Sequence, residues 1–313
     1  MEKTKLVVVV GPTASGKTKL AVELAKKNSG EVISADSMQV YREMSIATAK
    51  PTVEEMDGVP HHLVDFLPLS EEFSVSDFVT LARARIAEIT ARGNLPIVAG
   101  GTGLYINSLI DHVNFSEIEH DGALRERLYA EAKLDGGKRL YDYLCQIDPE
   151  SAAWIHPNNL VRVVRAVEIY EATGLTMTEQ KRRSRLEESP YDVCIIGLNY
   201  RDRQTLYDRI NRRVDLMVEA GLLDEVRRVY ESGNLKTAYN AIGYKELVPY
   251  LQGEAELSDC LEKVKQESRR YAKRQLTWFR RDGRIHWIYP DEEADFCSVI
   301  KKSQKYVETF TNI

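Results

Sequence analysis

The stretch KLVVVVGPTASGKT, residues 5–18, runs from an apolar segment into a glycine-rich loop, and its reading decides the fold. Residues 7–10 read as a buried strand and residues 17–27 as a helix, with the spacing G-x-x-x-x-G-K-[ST] between them. In that setting the loop Gly11, Pro12, Thr13, Ala14, Ser15, Gly16, Lys17 and Thr18 is expected to ring a di- or triphosphate with backbone N–H groups. Lys17 falls on the outer phosphate oxygens, and the Thr18 hydroxyl is the expected ligand of Mg²⁺. Most loops of this kind hold ATP or GTP, so an NTPase or kinase is the default.

With 313 residues, 43% of them hydrophobic and 29% charged, the chain has the make-up of a soluble globular protein. The first apolar run is too short for a signal peptide or a membrane span, so no membrane association is expected. Cys145, Cys194, Cys260 and Cys297 lie far apart and form no C-x-x-C pair, which fits neither a zinc site nor a disulfide framework and points to a reducing cytoplasm. A net charge of −5 gives no global attraction to nucleic acid, but charge is concentrated locally. Residues 262–284 carry nine Lys/Arg against three Asp/Glu, with Tyr271, Trp278 and Phe279 interleaved, and Lys181, Arg182, Arg183 and Arg185 form a second cluster. Either run can also be an ordinary solvated helix face.

Strands are expected at 5–10, 31–35, 62–66 and 96–99, alternating with helices at 17–27, 74–92 and 104–110. This pattern predicts an α/β fold, a P-loop NTPase-like parallel sheet core carrying a mostly helical insert domain. Residues 113–191 read as the insert; residues 1–112 and 192–313 form the core, the latter segment re-entering through a strand at 192–198 and ending in long helices and a short strand at 286–289. In such sheets ligands bind beyond the carboxyl ends of the strands. Three segments fall there: the phosphate loop, ADSMQVYR after the second strand and GGTGLY after the fourth.

A nucleotide site needs further parts, and these are poorly supplied. There is no N-K-x-D segment for guanine, and Asp65, which could be the Mg²⁺-holding acid at a strand end, is equally a cap. Thr102 sits where its hydroxyl and flanking N–H groups can meet an anion, or where it can cap the next helix. Asp36 stands too close to a polyphosphate to bind it comfortably and suits the removal of a proton from an incoming nucleophile, with an N-cap as the plainer alternative. Gln39 has the paired donor and acceptor that match a base edge. An ATP-dependent small-molecule kinase using the same loop, with Asp36 as base for a hydroxyl, is the competing enzyme class.

Taken in order, GPTASGKT, ISADSMQVYR, TAKP, VAGGTGLY, DPESAAWIHPNNLVRVVRAVEIYEATG, AIGYKEL and RRYAKRQLTWFR resemble the tRNA dimethylallyltransferases, also called tRNA isopentenyltransferases, as far as about Tyr289. The chain departs from that family's pattern at Glu43, Ser45 and Ala47, where Gly, Asp and Gly are common, and at Asn159, where Asp is frequent. The resemblance implies that the loop holds dimethylallyl diphosphate. The dimethylallyl unit would pass to the exocyclic amine of the adenosine 3′-adjacent to the anticodon in tRNAs reading U-starting codons. It implies Asp36 as general base, with Lys17, Thr102 and Arg213 as the other catalytic groups; Arg209 is an alternative to Arg213, four residues away on the same helix face. It also implies tRNA contacts from Asp36, Ser37, Met38, Gln39 and Thr102, and from Arg125, Asn158, Asn159, Leu160, Val161 and Arg162. Further contacts are expected from Tyr239, Asn240, Ala241, Ile242, Gly243 and Tyr244, and from Ser268, Arg269, Arg270, Tyr271, Ala272, Lys273, Arg274 and Gln275. Tyr244 or Tyr271 would stack on exposed bases. The expected partners are the tRNA anticodon stem-loop and dimethylallyl diphosphate, with Mg²⁺ as cofactor and the chain acting as a monomer.

Overall fold

The computed structural model describes residues 3–113, 122–184, 187–233 and 235–312; Arg185 lies outside them. Leu6 to Val10 are fully buried. An unbroken apolar run is what a strand covered on both faces requires, and it forms β1 (Thr4–Val10) inside a six-stranded sheet. There follow α1 (Lys17–Lys27), β2 (Gly30–Ala35), α2 (Val53–Met56), β3 (His61–His62), α3 (Val75–Ala91), β4 (Leu95–Gly100) and α4 (Gly103–Ile110). Asp111–Ser189 is a compact unit of its own, with α5 (Gly122–Asp135), α6 (Lys138–Ile147), α7 (Pro149–Trp154), α8 (Leu160–Thr173) and α9 (Met177–Arg183). The first unit, Met1–Ile110, is completed by Pro190–Ile313. That segment holds β5 (Tyr191–Leu198), α10 (Arg203–Glu219), α11 (Leu222–Glu231), α12 (Leu235–Ala238), α13 (Val248–Leu251), α14 (Leu257–Phe279), β6 (Ile285–Ile288) and α15 (Phe296–Thr311).

All pairings are parallel and the order is β3-β2-β4-β1-β5-β6. β1 therefore lies between β4 and β5, where the strand order reverses, and the loop after it opens onto the crevice at that point. On one face, Phe78, Ile86 and Ile89 of α3 and Ile106 and Leu109 of α4 pack on the sheet. On the other, Leu20 and Leu24 of α1 meet Val299, Ile300 and Val307 of α15. The C-terminal segment, for which the sequence suggested no role, thus covers a sheet face and sets the Phe296 ring against Gly16 of the loop. A third cluster joins Met44, Leu222, Val226, Tyr244 and Val264 beside the sheet. The second unit has its own core of Leu128, Leu144, Val163 and Val167.

The strand expected at 62–66 is cut to His61–His62. Leu63 and Asp65 both have φ 59°, a left-handed conformation that ends an extended run. The chain turns instead along residues 39–41, with Asp65 N donating to Gln39 O at 3.0 Å and Phe66 N to Val40 O at 2.9 Å. Asp65 pairs with Lys50. No helix among the described residues is long and apolar enough to cross a membrane.

Candidate active site

The loop after β1 is drawn tight, with Ala14 at φ 61° and the Lys17 ammonium donating to Pro12 O at 2.7 Å. The amides of Ala14, Gly16, Lys17 and Thr18 find no acceptor among the described residues. They are the orphan donors of a helix start and form a ready seat for phosphate oxygens. The Ser15 hydroxyl is also buried without a partner among the described residues. Burial, with the charge of Arg213 adding, pushes the Lys17 ammonium down to about 7 against the pull of Asp36. An anion in the loop would reverse that cost.

A cavity of about 320 Å³ opens from the loop, lined by Thr13, Lys17 and Thr18 on one side and by Asp36, Ser37, Met38 and Gln39 on another. Asp36 follows β2 directly and forms an Asx turn: its Oδ1 accepts from Met38 N at 2.9 Å and Gln39 N at 3.3 Å, while Oδ2 has no donor among the described residues. Thr102 does not cap α4 with its hydroxyl. Its Oγ1 accepts from Ser37 N at 3.2 Å and so ties the end of β4 to the Asp36 turn.

Of the two candidate arginines, Arg213 donates to Thr13 Oγ1 at 3.2 Å and lines the cavity. Arg209 donates to Ala14 O at 3.0 Å and stands over the Tyr200 ring, 5.4 Å from its centre. One stretch of the wall is apolar, made by Met38, Ile210, Val214, Met217, Leu222 and Val264. Of these only Met38 was singled out from the sequence; Ile210, Val214 and Met217 recur at the spacing of any buried helix face, a pattern that does not mark a cavity wall.

α14 crosses the mouth. Gln275 is a strut rather than an exposed contact: its Oε1 accepts from Thr13 N at 2.9 Å and its Nε2 donates to Gly101 O at 3.1 Å. A Cβ at Gly101 would stand 2.1 Å from Gln275 Nε2, and one at Gly103 would stand 2.2 Å from Trp278 Cδ1. Gly101 and Gly103 of GGTG are therefore required by the close approach of this helix, while Gly100 is required by the β2 backbone, where an added Cβ would stand 2.2 Å from Ala35 O. Tyr271, Arg274 and Ser268 line the cavity, and the Arg274 guanidinium lies 5.7 Å from the Tyr271 ring centre. Burial, reinforced by Asp36, pushes the Tyr271 hydroxyl up to about 12, so it remains a donor. Lys273 and Arg274, with Thr277, Trp278 and Arg281, border a second hollow of about 210 Å³. Arg269 is bound to Asn211 at 2.5 Å and Arg270 to Glu267 at 2.6 Å.

Several expected RNA contacts have other occupations. Tyr244 is fully buried with its hydroxyl on Glu225 at 2.8 Å, and Ala272 is fully buried, so neither meets a base. The Gln39 amide is bonded to Ser34, Thr48 and Ala49 at 3.0, 3.2 and 3.1 Å, which leaves no free edge for a base. Tyr239 remains exposed, and Asn240, Ala241, Ile242 and Gly243 line the cavity. In the second unit, Arg125 donates to Glu168 at 3.0 Å. Asn159 caps α8 by accepting from Arg162 N at 3.3 Å, which accounts for its exchange with Asp, an equally good cap. Leu160 opens α8, Val161 is exposed, and Arg162 and Lys181 both lie over the exposed Trp154 ring, at 5.9 and 5.6 Å. Asn158 donates its backbone N–H to His156 Nδ1 at 3.2 Å.

Comparison with known proteins gives the same direction. Residues 39–282 match the family model described as IPP transferase. The chain is 51% identical over 306 residues to a tRNA dimethylallyltransferase of Halalkalibacterium halodurans, covering 97% of each, and 47% identical over 313 residues to that of Bacillus subtilis, covering 99% of this chain and 97% of the relative. Among solved structures, the full-length tRNA isopentenylpyrophosphate transferase of Bacillus halodurans aligns with a TM-score of 0.74 at 49% identity, covering 98% of this chain and 97% of that one. A eukaryotic dimethylallyltransferase caught acting on tRNA aligns with 0.84 at 30% identity, covering 99% of this chain and 80% of its own. A phosphate loop, one carboxylate at the end of β2 and this likeness along almost the whole length have one explanation: the chain belongs to the IPP transferase family, the tRNA dimethylallyltransferases.

Proposed function

We propose that the chain transfers the dimethylallyl group of dimethylallyl diphosphate to the exocyclic amine of the adenosine 3′-adjacent to the anticodon, in tRNAs reading U-starting codons. One observation carries this: a single cavity joins the diphosphate loop, the Asp36 carboxylate and an apolar wall, and α14 with its exposed Lys273 and Arg274 crosses its mouth.

The adenine amine is a weak nucleophile, since its lone pair is delocalised into the ring. The chain must therefore position it, take its proton and ease departure of the diphosphate. The nitrogen attacks C1 of the allyl group, the C1–O bond breaks, and the electron pair leaves with the diphosphate. The amine proton goes to Asp36 Oδ2, the oxygen left open by the Asx turn. Lys17, Arg213 and the loop amides meet the negative charge growing on the diphosphate. Thr102, tied to Ser37, stands at the junction between that charge and the amine. The target base leaves its stack to reach this depth.

Mg²⁺ fits the donor set: no group of three His, Cys, Asp or Glu side chains that could hold an ion by itself exists among the described residues, and the Thr18 hydroxyl, which lines the cavity, would hold the ion together with diphosphate oxygens and water. When bound, the ion would neutralise part of the diphosphate charge. The apolar wall of Met38, Ile210, Val214 and Met217 suits an allyl group and offers little to a purine, which disfavours the kinase reading.

Asp36→Asn keeps shape and a hydrogen-bonding oxygen but cannot accept a proton at neutral pH. Single-turnover transfer should fall ~10²–10⁴-fold while filter binding of tRNA is kept. A near-native rate would make Asp36 a turn-former only and send the proton elsewhere.

A further inference from the structure

Glu225, on the first turn of α11, is 2% exposed, and both of its carboxylate oxygens are filled by neutral donors. Oε2 accepts from Ser45 N at 2.9 Å and Ile46 N at 2.8 Å; Oε1 accepts from Ala47 N at 3.0 Å and from the Tyr244 hydroxyl at 2.8 Å. Three consecutive amides turned onto one carboxylate make a concave anion seat, here occupied by the protein's own side chain. Burial, with the charge of Glu225 next, raises the Tyr244 pKa, so its hydroxyl stays a donor. The clamp reads backbone, not side chains, which is why Ser45 and Ala47 are tolerated where relatives commonly carry Asp and Gly.

The clamped loop continues into the catalytic turn. Thr48 O and Ala49 O accept from Gln39 Nε2, Gln39 Oε1 accepts from Ser34, and Gln39 N is one of the two amides on Asp36 Oδ1. Ala47, Thr48 and Ala49 themselves line the cavity. Resting on the transfer reading above, we infer that Glu225 is a positioning residue, which fixes the Asp36 carboxylate through the 45–49 loop and the Gln39 amide. It touches neither substrate. A buried carboxylate in this place would otherwise carry only a desolvation cost.

The test is a double-mutant cycle on single-turnover transfer with labelled dimethylallyl diphosphate and unmodified tRNA. Glu225→Gln swaps one acceptor for a donor facing N–H groups, and Gln39→Leu cuts the chain further along. Each should slow transfer on the order of 10- to 100-fold, as expected for a misplaced catalytic group, with apparent affinities for donor and tRNA within about threefold of the unsubstituted chain. The double variant should be no slower than the worse single one, because both cut the same link. A merely structural Glu225 would give losses that multiply, or a native rate with only a lowered melting temperature; either overturns the inference. If Glu225→Gln does not fold, Glu225→Asp keeps the charge while drawing the acceptor back by one methylene; the same loss and the same non-multiplying double with Gln39→Leu are expected, and a native rate overturns the inference. Absence of transfer by the unsubstituted chain would instead defeat the functional reading on which this rests.

Discussion

Lys17 has the most informative environment of any single residue. Its burial and the nearby Arg213 bring its pKa down to about 7 without an anion. A bound diphosphate favours the charged form, so binding above pH 7 must take up a proton. Diphosphate affinity should therefore fall as pH rises from about 7, by up to about tenfold per pH unit. Calorimetry at pH 8 in buffers of different ionisation enthalpy should show this uptake in excess of that of Lys17→Arg, whose guanidinium stays charged; equal uptake by both would remove Lys17 from the linkage. The phosphate loop and Asp36 were legible in the sequence because loop spacing and a strand-end acid are local features. Gln275 as a strut, Tyr244 as a buried donor and Gly101 and Gly103 as seats for α14 were not. The strut and the glycines depend on contacts between segments far apart in the chain, and the Tyr244 hydroxyl on Glu225 of another helix, which no local pattern encodes.

Among the elements, β2 carries functional groups at one end and a stability device at the other. Glu31, near its start, is buried and bound by Asn94 at 2.8 Å, His62 at 2.7 Å and Arg92 at 2.8 Å, linking β2 to β3 and to the end of α3. Burial alone would raise its pKa, but the hydrogen bonds from Asn94, His62 and Arg92 outweigh it and hold the carboxyl at about 2. A depressed carboxyl contributes stability that is full above the unfolded value of 4.5 and is lost as pH falls toward 2. Glu31→Gln should therefore cost about 1–3 kcal/mol at neutral pH, a gap that narrows below pH 4.5 in denaturant titrations; a gap independent of pH would contradict this account. Strand and helix identities followed from periodicity, and most boundaries lie within two residues of expectation. β3 is the exception, since positive φ at Leu63 and Asp65 is a backbone choice that an apolar run does not reveal.

At the scale of the molecule, the parallel sheet and the return of the chain to it near Val193 were legible, because a strand pattern resumes after a long helical text; that this strand lands beside β1 was not. The packing of α15 under the loop was not, since its amphipathic pattern says only that it covers something. The basic run on α14 reads as a nucleic-acid face only in this context. tRNA affinity should drop steeply with salt, and Lys273→Ala with Arg274→Ala should flatten log Kd against log salt by about one unit per lost contact. An unchanged slope would take this helix out of the interface. The central claim, that the loop holds a leaving group and not an energy carrier, has a direct measurement: the chain is incubated with an unmodified anticodon stem-loop and labelled dimethylallyl diphosphate, and in parallel with labelled ATP. Label entering the RNA with stoichiometric release of diphosphate, and no turnover of ATP, is the predicted result; ATP turnover with no label in the RNA would contradict it.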